Sequence, residues 1–174
     1  MRDRKLLFQT YSDARLIEVV KNAKQFGYDE SIRCLALEVL KERGITEDDL
    51  ALTGNLTNSK FDYSQEVFYS YNTASKTAFI AYFVGLCMRA IDVFNLFGID
   101  HPGLIFQLVF GLVIVSFLIA LTKSFFDHLN FYKSIGKDPG TGDQLIFFLL
   151  GMPFYIVMYF FYRSRMKEEL LMIN

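Results

Sequence analysis

The chain has 174 residues, 18 Lys+Arg against 19 Asp+Glu, 52% hydrophobic residues and 17% aromatic residues. A net charge of -1 leaves no basic footprint for nucleic acid, and so rich an apolar content excludes a disordered tail. Two cysteines, Cys34 and Cys87, exclude a disulfide framework and a four-thiolate zinc site, and no cofactor is expected.

The average hides a split. Between residues 77 and 122 only Arg89, Asp92 and Asp100 are charged, and between 145 and 162 nothing is. Lipid explains such segregation, because a helix needs roughly 20 apolar residues to cross a bilayer core. The expected fold class is all-α, with a polar helical part at 1–60, a juxtamembrane helix at 61–76 and a membrane domain at 77–174. The first 30 residues contain basic residues but no short apolar core with a cleavage site, so a secretory signal is not expected there.

In the polar part, 12–26 places Leu16, Val19, Val20, Ala23 and Phe26 at helical spacing. Ser12 can cap it, and Gly27 stands where a left-handed residue ends a helix. The pattern repeats over 30–43 with Ile32, Leu35, Ala36, Val39 and Leu40, capped by Asp29 and ended by Gly44. The short connection predicts an antiparallel helical hairpin, with Cys34 at the edge of its seam. Thr46 and Asp49 form a capping box for a short helix before Gly54, and Glu47, Asp48 and Asp49 offset its positive end. Residues 54–60 are a hinge. A unit this small is marginal alone, so it is expected to lean on the membrane half, a sister subunit or another protein.

Membrane spans are expected at 77–97, 102–122 and 145–162, the first two joined by a tight turn at 98–101. Residues 124–136 suit a separate helix lying in the headgroup layer. Gly151 and Pro153 bend the third stretch. Basic residues place the N-terminal half and 123–144 in the cytoplasm. Three full spans then leave Arg163, Arg165 and Lys167 outside. The alternative is that 145–162 dips in and returns, which puts all eight flanking basic residues inside. Three full spans are the expectation, because unpaired backbone is costly in lipid.

Arg89 and Asp92 are three residues apart and share a helix face. With Gln107 they form the candidate intramembrane polar site, with Asn95 as a further neighbour; charge inside a span is rare and often functional. His101 and His128 fall on opposite sides of the membrane, so they cannot share a metal, and each reads as a solvated interfacial residue. Ser116 lacks a base, and no catalytic constellation stands out. Tyr155, Tyr159, Phe160, Phe161 and Tyr162 suit an interfacial belt.

The stretch 11–56 resembles the helical segments that precede the spans of certain uncharacterised bacterial small membrane proteins. Arg89-x-x-Asp92 resembles the Arg/Asp pair in the first span of the RDD membrane family, where the pair stands near the start of the span rather than near its end. These readings imply a non-enzymatic, multi-pass protein of the bacterial cytoplasmic membrane with a cytoplasmic N-terminus. Its partners would be the lipid bilayer and a protein subunit or second copy, and it would serve as an adaptor, accessory or regulatory subunit. An ion or small-solute channel subunit built on Arg89 and Asp92 is the alternative. A lipid-modifying enzyme using His128, Asp127 or His101 comes third.

Overall fold

The computed structural model describes residues 2–94 and 103–173. The expected 98–101 turn, with Asn95, Asp100 and His101, lies outside the described residues. Within them the chain is all-helical, in the order α1 (Arg2–Gln9), α2 (Asp13–Lys21), α3 (Glu30–Glu42), α4 (Glu47–Leu52), α5 (Ser59–Val93), α6 (Leu104–Ser134), α7 (Gly140–Gly151) and α8 (Tyr155–Leu171). It divides into two compact units, Met1–Asp62 and Tyr63–Asn174. The long α5 runs unbroken through residues 60/61 and 76/77, the boundaries expected from composition.

The first unit closes around Phe8, Leu16, Val19, Val20, Ala36, Leu37, Val39, Leu40 and Leu50. Burying one such aliphatic side chain is worth about 1.5–3 kcal/mol, and here the apolar stripes of α2 and α3 meet as their spacing predicts. Phe26 does not join them and is exposed. Ser12 caps α2 by accepting from the Arg15 amide. Asp29 stands at the start of α3 but makes no side-chain cap bond. Gly44 ends α3 at φ 86°, with its amide on the Lys41 carbonyl and the Ile45 amide on that of Leu40. A side chain would strain that left-handed turn. Cys34 is exposed.

Helix α1 has no counterpart among the expected elements. Among its described side chains only Phe8 is buried, and long-range contacts hold the helix in place. Lys5 bridges Glu38 and Glu42 of α3 at 2.6 and 2.8 Å. Arg43 donates to the Gln9 and Tyr11 carbonyls and to Asp13.

In the second unit α5 and α6 run antiparallel. Ser64 meets Ser134 at 2.7 Å, Phe68 faces Phe131, Tyr71 faces His128, and Tyr82 faces Phe117. Both helices are long and apolar enough to cross a membrane, with α6 the more apolar at a mean hydropathy of 2.8. The apolar part of α6 does not end in a separate interfacial helix over 124–136. Nothing in the sequence breaks the helix there, and α6 continues to Ser134.

The third apolar stretch is not one continuous helix either. It splits at 152–154, where Pro153 supplies no amide to continue the ladder. Beyond the break α8 folds back along α7. The Tyr162 hydroxyl donates to the Asp143 carbonyl at 3.1 Å, and Arg165 pairs with the Asp143 carboxylate at 2.8 Å. Gly151 lies against Leu121, Phe147 against Phe125, and Lys137 pairs with Glu169. The tip of the hairpin therefore lies level with the middle of α6, and α8 returns toward the C-terminal end of α6.

Two tyrosine hydroxyls bond main-chain carbonyls of neighbouring segments. Tyr82 donates to Pro153 O at 2.8 Å and Tyr155 to Ser75 O at 3.2 Å. Tyr155, Tyr159 and Tyr162 are buried, so they are not an interfacial belt, whereas Phe160 and Phe161 are exposed.

Candidate functional site

The antiparallel register that pairs Tyr82 with Phe117 brings Arg89 and Asp92 of α5 beside Gln107 of α6. All three line one hollow of about 350 Å³, together with Met88, Phe106 and Phe110. Arg89 Nη1 donates to Asp92 Oδ2 at 2.5 Å. The Arg89 side chain is 63% exposed and that of Asp92 25%, so the carboxylate sits inward and the guanidinium outward. The pair balances its own charge, and the aliphatic stem of Arg89 lets its head group reach away from the helix. Asn95, expected nearby, is outside the described residues.

A second polar group lies toward the other end of the same helix pair. Lys123 Nζ donates to Ser70 Oγ at 2.8 Å and to Asp127 Oδ2 at 2.9 Å, and Ser70 Oγ donates to the same Asp127 oxygen at 2.8 Å. The i,i+4 spacing of Lys123 and Asp127 was readable in the sequence. Ser70, which comes from the other helix, was not.

The third feature corrects an expectation. His128 is not a solvated surface residue: it is fully buried where all four helices of this unit meet. Tyr71 of α5, Tyr132 of its own helix, Phe147 of α7 and Tyr162 of α8 surround its ring, at centroid separations of 4.7 to 6.4 Å. Neither ring nitrogen has a hydrogen-bond partner, and the Tyr132 hydroxyl and Asn72 Oδ1 likewise have none. His128 lies beyond Lys123, past the uncharged run of α6. Burial pushes its imidazole down to about 4, with the Arg165 charge acting the same way and Asp143 opposing. It is a neutral packing element, which leaves it no surface at which to meet a lipid substrate.

Among the described residues no three His, Cys, Asp or Glu side chains are placed to hold a metal ion. No protein-family model, no curated protein and no solved structure matches the chain.

Proposed function

We propose that this is a bacterial cytoplasmic-membrane protein with two full spans, in α5 and α6, and a re-entrant hairpin, α7–α8. It would act as a non-enzymatic accessory or regulatory subunit whose cytoplasmic helical unit carries the contact to a partner. The observation behind the topology is the return of α8 along α7. With both chain ends cytoplasmic, Lys60, Lys76, Lys123, Lys133, Lys137, Arg163, Arg165 and Lys167 all lie on one side, as the positive-inside rule favours. The costly feature of a re-entrant segment is bare backbone in lipid, and the Tyr82 hydroxyl on Pro153 O supplies a partner at the tip.

The adaptor role is supported by the division of the chain into two units, the first with a core of its own. A cysteine at Asn174, in a chain with Cys34 and Cys87 replaced by serine, tests the topology. An impermeant thiol reagent should label it only after the cells are opened. Labelling in intact cells would restore three full spans. Gentle detergent extraction of the full chain at native abundance, yielding a stoichiometric second protein, is the result expected for an accessory subunit.

The hollow holding Arg89, Asp92 and Gln107 favours the second reading, a channel or transporter subunit that oligomerises around this site. Ion flux into proteoliposomes that disappears with Asp92→Asn would select it.

A further inference from the structure

We infer that Lys123, Asp127 and Ser70 form the headgroup site for a phospholipid bearing a primary ammonium, of the phosphatidylethanolamine type. Its chains would lie along Leu118 and Ile119. The inference rests on the membrane reading of α5 and α6 proposed above.

The polar cluster is ordered and asymmetric. Two of the three N–H groups of Lys123 are taken by Ser70 and Asp127, which fixes the direction of the third. The Lys123 side chain is 56% exposed and that of Asp127 only 13%, so the cation stands in front and the anion behind it. Both bonds to Asp127 fall on Oδ2. A shallow hollow of about 580 Å³ opens beside them, lined by Leu118, Ile119, Thr122, Lys123, Phe126 and Asp127. Ile119 and Phe126 are largely exposed. Leu118 and Ile119 lie about one turn along α6 from Lys123, on the apolar side, so the hollow has a polar end and a greasy end.

The level along the helices is right for a headgroup. The register that pairs Tyr71 with His128 and Tyr82 with Phe117 sets Lys76 of α5 at the height of Lys123. Lys76 is also exposed, and no charged residue follows either lysine toward the apolar ends until Arg89 on α5; none follows on the described part of α6. Lysines at such a boundary reach out to the interface.

The charge of the site selects among lipids. The Lys123–Asp127 pair is neutral overall, so a purely anionic headgroup gains no net attraction from it. A headgroup with both a phosphate and an ammonium complements both members. The phosphate takes the remaining Lys123 N–H, and the ligand ammonium donates to the Asp127 carboxylate, a charge-assisted bond. A quaternary ammonium has no N–H to donate and loses that bond.

The full chain in nanodiscs of equimolar phosphatidylethanolamine, phosphatidylcholine and phosphatidylglycerol tests this, with retained lipid counted by native mass spectrometry. Phosphatidylethanolamine should exceed phosphatidylcholine by about tenfold, the worth of one charged hydrogen bond. With unaltered protein, retention should fall stepwise as the headgroup nitrogen is methylated. Asp127→Asn should level the two lipids, and Lys123→Gln should lower both. Lys76→Gln should leave the preference intact. Equal retention by the unaltered chain, a preference for phosphatidylglycerol, or an unchanged preference in Asp127→Asn would overturn the inference. A chain that fails to float with vesicles would overturn the membrane reading along with it, whereas floating without preference overturns the lipid site alone.

Discussion

The Tyr82 hydroxyl, on α5, donates to the Pro153 carbonyl oxygen at 2.8 Å, bridging residues 71 apart in the chain. Proline breaks the α7–α8 segment and leaves main-chain groups without helical partners. A tyrosine on a neighbouring helix supplies one of them. The tip of the hairpin is thereby tied to α5.

Tyr82→Phe keeps the ring contacts with Phe117 and Tyr155 but removes the donor. Leaving the carbonyl unpaired should cost about 1–3 kcal/mol. The check is thermal unfolding of the full chain in detergent, together with hydrogen exchange of 150–157. That segment should exchange faster while 104–120 is unchanged.

His128 makes stability depend on pH. Its ordinary value of 6.5 falls to about 4 in the folded chain. The unfolded chain therefore binds a proton that the folded chain refuses. The stabilisation is fully present above 6.5 and is lost as pH falls from there toward 4. The gap is worth roughly 3 kcal/mol. Melting temperatures between pH 7.5 and 5 should fall for the natural chain. In His128→Phe, which suits the ring cluster of Tyr71, Phe147 and Tyr162, most of that fall should vanish.

Arg89→Leu should lower the amount of assembled protein in membranes more than Asp92→Asn does. The first leaves a carboxylate without its 2.5 Å partner inside an apolar helix, at a cost of about 2–3 kcal/mol. The second leaves the guanidinium an amide oxygen to bond. Quantitative blotting of membrane fractions checks this, and equal, negligible effects would remove any special role for the pair.

Leu40→Ala, at a fully buried position between α2 and α3, should destabilise the first unit by about 2–5 kcal/mol. Because the chain divides at Asp62, the loss should be local. Hydrogen exchange of the full chain should speed up across 13–42 while 104–134 keeps its protection.

Local chemistry along the chain accounts for the features that depend on near neighbours. The sequence carried the all-α class and the segregation of charge from grease. It also carried the Ser12 and Thr46 caps, the turns at Gly27 and Gly44, and the break at Gly151–Pro153. Each follows from hydroxyl chemistry, φ freedom, a missing amide or helical spacing within a few residues. The polar trio was half legible: Arg89 and Asp92 share a face by spacing, whereas Gln107 joins them through the α5–α6 register.

The direction the chain takes after each break depends on contacts between distant helices. An apolar run of 18 residues has the same hydropathy whether it crosses or turns back. The fold-back of α8 along α7 depends on Tyr82, Ser75 and Asp143, from positions up to 80 residues away. The same holds for α1, fixed by Glu38, Glu42 and Arg43, and for the burial of His128 by rings from four helices. Polar side chains on a helix declare their partners only once another helix is laid against them, because register between helices is a property of packing rather than of local pattern.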